Sequence, residues 1–156
     1  MPDPVTIVIP HYDADTLGDC LLSLFEHSDS SQIHVVVVDD GPGRQPLQQA
    51  QQRFPQIEVL TNTENLGFSH SCNRGLEHCE TRYACLLNDD TRVGAGWLPP
   101  LISACEADPT IAACQPKLLS ATDPDRFDYS GGAGGFVDRL GFTFCRGRVL
   151  EHLESD

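Results

Sequence analysis

The sequence is poor in basic residues and in long apolar runs, and each shortage removes a class of function. Lysine and arginine number 10 against 23 aspartates and glutamates, a net charge of −13 over 156 residues. A field of that sign repels nucleic-acid backbones and anionic lipid headgroups, so neither is expected as a bulk partner. No run approaches the roughly 18 apolar residues of a membrane span. The N-terminal MPDPVTIVIP has no basic region and its apolar run stops at Pro10, which argues against a secretory signal. None of the seven cysteines (Cys20, Cys72, Cys79, Cys85, Cys105, Cys114, Cys145) is spaced C-x-x-C, and most sit in apolar runs such as YACLL and IAACQP. Reduced thiols in a cytoplasmic protein are therefore expected, not a disulfide frame. His70, Cys72, His78 and Cys79 are crowded together, but eight residues separate the histidines, too far along one helix to clasp one zinc ion. Cys72 and Cys79 are read as a packing face.

What is present is an alternation. Hydrophobic residues make up 40% of a 17.1 kDa chain, enough for one domain with a proper core. Val5 to Ile9, Ile33 to Val38, Ile57 to Leu60 and Tyr83 to Leu87 are short β-branched or apolar runs that predict strands, and Ile111 to Cys114 predicts a fifth. Between them lie helical spacings. Leu17, Leu21, Leu24 and Phe25 share one face after Asp15 or Thr16 as N-cap, and Pro46 to Phe54 is a polar surface helix. Ser69 to Cys79 and Trp97 to Cys105 complete the set. Strand and helix in turn predict a mostly parallel sheet flanked by helices. The expected organisation is an α/β domain over 1–119 and an irregular extension over 120–156, where the glycines from Gly131 to Gly135 read as a turn.

Ligands of open parallel sheets sit at the carboxyl ends of the strands. Here those ends deliver Pro10-His11-Tyr12-Asp13, Asp39-Asp40-Gly41, the loop Asn62 to Phe68, and Asn88-Asp89-Asp90. The dinucleotide fingerprint G-x-G-x-x-G is missing from the first turn, which reads PHYDAD, and no G-K-[ST] occurs anywhere. Adjacent carboxylates repel each other unless a cation or proton intervenes, and hard divalent ions take oxygen ligands. Asn-Asp-Asp is also plain turn chemistry. A second acidic pair at a neighbouring strand end favours a metal and an anionic ligand.

Taken in order, VTIVIPHYD, LLSLFEH, IHVVVVDDGP, NTENLGFSHSCNRGL and YACLLNDDT resemble the family 2 glycosyltransferases, over roughly residues 5 to 115. GGAGGFVDRLGFTFCRGR is similar to the branch that builds bacterial surface polysaccharides, rhamnosyltransferase-like members included. The resemblance implies the GT-A fold and transfer of a sugar from a nucleotide diphosphate donor, UDP- or dTDP-linked, to a glycan or lipid-linked acceptor. Pro10 and Tyr12 would cup the nucleobase, and Asp40 would accept its imide N–H while Asp39 caps the turn. Asn65 and Gly67 would lie beside base and ribose. Asn73 matches a helix asparagine of the family, with structural bonding as open as ligand contact. Asp13 stands where the family often has Asn. Asn88-Asp89-Asp90 corresponds to the D-x-D motif, with Asp90 on Mn²⁺ or Mg²⁺ and Asp89 on the ribose or the metal's water shell.

The general base of the family is a carboxylate from a later segment, and no motif assigns that role to Asp138, Glu151, Glu154 or Asp156. The chain is accordingly read as the donor-binding half of a longer, cytoplasmic and membrane-peripheral enzyme. A non-catalytic nucleotide-binding domain is the first alternative. A sugar-phosphate nucleotidylyltransferase is the second, although it would need a glycine-rich, basic first turn that PHYDAD does not supply.

Overall fold

A computed structural model describes residues 5–41, 45–123, 125–128, 134–137, 139, 143–145, 148–149 and 152–153. The glycines 131–133, Asp138, Glu151, Glu154 and Asp156 lie outside the described residues. The chain divides into two compact units, Met1–Gly96 and Trp97–Asp156.

In the first unit, strand β1 (Val5–His11) is buried at every position, as its unbroken VTIVIPH run requires of a strand covered on both faces. Strand β2 (Ile33–Asp39) pairs with it in parallel, from Val5 opposite Ile33 to His11 opposite Asp39. Strands β3 (Glu58–Thr61) and β4 (Tyr83–Leu86) add in parallel to β2 and β1 respectively, giving the order β3-β2-β1-β4. The order reverses between β1 and β4. That reversal opens a crevice at their carboxyl ends.

Helix α1 (Leu17–His27) buries Leu17, Cys20, Leu21 and Leu24, the face that the spacing predicts. Thr16 occupies its N-cap without a side-chain capping bond. Helix α2 (Gln45–Arg53) turns only Leu47 and Ala50 inward, and Phe54 beyond it stacks on Phe25 with centroids 5.5 Å apart. Helix α3 (Phe68–Glu77) lies against the sheet through Gly75, where a Cβ would collide with Val8 Cγ1 and come within 3.1 Å of Val38 Cγ2. Cys79 packs on Val8, Val36 and Val38, and Cys72 is buried. His78 Nε2 instead meets Glu58 Oε1 at 2.8 Å.

The second unit contains helix α4 (Leu98–Ala107), which starts at two prolines as its N-terminal positions allow. The predicted fifth strand does not form. Ile111–Cys114 is irregular and exposed, because Ala112, Ala113 and Cys114 have little strand preference and Pro116 interrupts any continuation. The extension after Ser120 is less irregular than expected. Strands β5 (Gly135–Val137) and β6 (Thr143–Cys145) pair antiparallel, as do β7 (Arg148–Val149) and β8 (His152–Leu153). Phe136-Val137 opposite Thr143-Phe144 are β-forming residue types in register.

Candidate functional site

β1 ends in the turn Pro10 to Ala14 and β4 runs on into Leu87, whose N–H donates to Val8 O at 3.0 Å. The pairing therefore carries Asn88-Asp89-Asp90 up beside the β1 turn. Between the two lies a cavity of about 460 Å³. Pro10, Tyr12, Asp40, Asp89 and Asp90 all line it, with His11, Asp13, Ala14, Phe68, Ser71 and Asn88. Asn65 and Gly67 do not. Asn65 is exposed and its Oδ1 accepts the Gly67 N–H at 3.1 Å, which closes a turn rather than a wall. Asn73 is exposed on α3 and is not among the lining residues. Tyr12 and Phe68 leave 46% and 60% of their surface open, so two aromatic faces stand at the rim.

Asp40 is 4% exposed and its carboxylate is heavily engaged. Oδ1 accepts from Asn62 Nδ2 at 2.7 Å and from Leu66 N–H at 2.8 Å, while Oδ2 accepts from Gly67 N–H at 2.8 Å. Burial by itself raises its pKa; the bonds from Leu66, Asn62, Gly67 and Ser71 outweigh it, and the carboxyl titrates below its ordinary value. A carboxylate offers about four lone-pair positions. Those on Asp40 are taken by the Asn62–Gly67 loop and Ser71, so an imide N–H could bind there only by displacing one of them. The geometry gives Asp40 the work of holding the loop. Gly67, at φ +88°, adopts the left-handed backbone that lets its N–H turn toward this carboxylate. Asp39 Oδ1 accepts the Gly41 N–H at 3.1 Å and caps the turn.

The acidic turn after β4 is built differently. Asn88 O accepts the Thr91 N–H at 3.1 Å and a weak Cys20 Sγ bond at 3.5 Å, which ties the turn to α1. Burial, with the Asp89 and Asp90 carboxylates adding to it, pushes the Cys20 thiol up to about 12. Asp89 is half-buried and held by His11; Asp90 is exposed at the cavity. Among the described residues no cluster of three or more His, Cys, Asp or Glu could enclose a metal ion. One exposed carboxylate beside a second suits a hard divalent ion that keeps most positions for water and phosphate oxygens.

Sequence reasoning placed His11 and Asn62 at strand ends without giving either a role. Asn62 is 1% exposed; its Nδ2 also donates to Ser71 Oγ at 3.0 Å and its Oδ1 accepts from Arg74 Nη1. It is the hub linking β3, α3 and Asp40. An asparagine directly after a short apolar strand is the only signal the sequence offers for it.

Against this geometry, residues 6–140 match the family described as Glycosyl transferase family 2. A putative polypeptide N-acetylgalactosaminyltransferase 13 of Drosophila melanogaster is 29% identical over 151 residues, 86% of this chain and 26% of that protein. The mannosyltransferase PcManGT of Pyrobaculum calidifontis, solved with GDP-Man and Mn²⁺, superposes with a TM-score of 0.61 at 22% identity, over 71% of this chain and 34% of that one. GalNAc-T7, solved with UDP, GalNAc and Mn²⁺, gives 0.60 at 16% identity over 68% of this chain and 21% of that one. The chain thus spans about a quarter of that Drosophila relative's length. These solved neighbours carry the GT-A glycosyltransferase fold, and the parallel four-stranded sheet flanked by helices shares it. By fold and by its match over most of its length, the chain belongs to glycosyltransferase family 2.

Proposed function

We propose that this chain carries the donor site of an enzyme that transfers a sugar from a UDP- or dTDP-linked donor to a glycan or lipid-linked acceptor. The observation that carries the reading is the cavity itself, with the Tyr12 ring at one rim and Asp89 and Asp90 on the other side of the β1–β4 crevice. A pyrimidine stacked on Tyr12 beside Pro10 would direct its diphosphate toward Asp90. Asp90 would hold Mn²⁺ or Mg²⁺, with Asp89 on the ribose or the metal's water shell. When bound, the ion would neutralise the diphosphate and stabilise the departing nucleotide. The protein's own part is to stack the base, fix the ribose end and keep the acidic turn in place through Cys20 and Asn88.

Of the lining carboxylates, Asp40 and Asp89 are engaged by other residues, Asp90 serves the metal in this reading, and no motif gives Asp13 the role of general base. The 156-residue chain is therefore assigned donor binding, with acceptor deprotonation left to a carboxylate elsewhere. The segment similar to the surface-polysaccharide branch supports a place in bacterial cell-surface glycan synthesis. The placement of the cysteines in apolar runs without C-x-x-C spacing accords with a cytoplasmic setting.

The test is calorimetric titration with UDP, dTDP, GDP and ADP, each with Mn²⁺ and with chelator. Binding of UDP or dTDP that chelator abolishes supports the reading. Tightest binding of GDP would move the donor to the guanosine class. Absence of binding by any diphosphate would refute a donor site. Metal-dependent binding with no transfer, even in an extended chain, would favour the non-catalytic nucleotide-binding domain.

A further inference from the structure

His11 closes β1 at 1% exposure, on the floor of the cavity. Its Nδ1 lies 2.8 Å from Asp89 Oδ2, a bond between residues 78 apart in sequence. Its Nε2 is buried and has no hydrogen-bond partner among the described residues. A buried polar atom left unpaired costs stability. A leucine or valine at the end of so apolar a strand would avoid that cost. An imidazole is retained here at a loss to the core, and what it gains is its one bond, to the acidic turn.

That bond crosses the crevice at the point where strand order reverses. The His11 main chain holds the other side as well, because its carbonyl accepts the Asp40 N–H at 2.8 Å. One residue thus sets the Asp40 backbone against the Asp89 side chain. Asp13, Asp89 and Asp90 all line this cavity, and of these Asp89 is the one that His11 holds.

We propose that His11 is a positioning residue for Asp89: its Nδ1–H holds Oδ2, which aims the remaining oxygen and the neighbouring Asp90 carboxylate at the ribose and diphosphate of the donor. The proposal rests on the donor-site reading above. It assigns His11 no contact with the ligand. It also explains why adjacent acidic residues differ, one half-buried and held, the other exposed at the cavity.

The experiment compares wild type, His11→Asn and His11→Leu by calorimetry with Mn²⁺ and either uridine diphosphate or uridine, alongside melting temperatures. Asparagine places an N–H near the position of Nδ1, whereas leucine fills the space without a donor. The expected result is near wild-type diphosphate affinity for His11→Asn and at least about tenfold weaker affinity for His11→Leu, the loss of one charge-assisted hydrogen bond. Uridine, which keeps the ribose but offers a metal no phosphate, should lose less affinity than the diphosphate in His11→Leu and none in His11→Asn, a split that a purely structural role would not produce. Equal diphosphate affinity in His11→Leu and wild type would overturn the proposal, as would an equal loss in His11→Asn. Should His11→Leu fail to fold, nitrogen-resolved NMR of the wild-type imidazole decides. A slowly exchanging Nδ1–H signal that shifts when diamagnetic Mg²⁺ and diphosphate are added supports the proposal, and its absence before addition overturns it. If wild type binds no nucleotide at all, the donor-site reading fails first, and the Nδ1–H signal still reports whether His11 holds Asp89.

Discussion

Asp40 shows how far one side chain's role depends on its partners. From sequence it is the second member of an acidic pair at a strand end, and the family resemblance offers it to a nucleobase. In the fold its oxygens accept from Asn62, Leu66 and Gly67. Asp40→Asn should therefore destabilise the protein at neutral pH by about 1–3 kcal/mol, because buried donors lose an acceptor. The folded pKa lies below the unfolded one, so the carboxylate's contribution is present above the unfolded value and fades as pH falls through the folded one. Urea midpoints should separate wild type from Asp40→Asn widely at pH 7 and converge as pH falls below the ordinary carboxyl range. A gap that stays constant with pH would disprove the loop-holding role. Asp90 should behave oppositely. Asp90→Asn should leave the melting temperature close to wild type, since the residue is exposed, yet reproduce the effect of chelator on diphosphate binding. Diphosphate binding that survives both would reduce Asn88-Asp89-Asp90 to a turn.

Cys20 is the residue-scale counterpart of that acidic turn. With its thiol pushed up to about 12, almost no thiolate exists at pH 8. Iodoacetamide at that pH should leave Cys20 unmodified in the native protein and alkylate it in urea, as peptide mass spectrometry would show. Rapid native labelling would mean that α1 does not cover the turn as described.

At the scale of elements, the alternation of β-branched runs with helical spacings locates β1 to β4 and α1 to α4 within a few residues of where they form. It fails at Ile111–Cys114, where a short apolar run has no neighbour among the described residues to pair with. The docking of α3 is a matter of volume at one position. Gly75 brings the helix backbone down onto Val8 and Val38, and any Cβ there must push the helix off the sheet. Gly75→Ala should cost about 1–3 kcal/mol despite alanine's better helix propensity. Equal or higher stability in a denaturant titration would show that α3 can shift at no cost.

For the whole molecule, the net charge of −13 sets a condition on any phosphate ligand. In chelator, the diphosphate approaches a repulsive field, and raising the ionic strength should strengthen what weak binding remains. With Mn²⁺ present the dominant attraction is itself electrostatic, and the same salt should weaken binding. Titrations at low and physiological ionic strength would show the two slopes; slopes of one sign in both conditions would mean that no bound cation mediates the contact.

The sequence by itself determined the class of the fold, the acidic strand ends and their order along the chain, because hydrophobic periodicity and turn chemistry act over a few neighbouring residues. Tertiary structure decided the strand order β3-β2-β1-β4, and with it which ends share a crevice. It also decided that Asp40 faces a loop whose Asn62 is 22 residues away, and that His11 reaches an aspartate 78 residues on. Those pairings depend on parallel strands bringing distant segments into register, and on desolvation that forces each buried polar group to find a partner. Neither condition has a local trace in the chain.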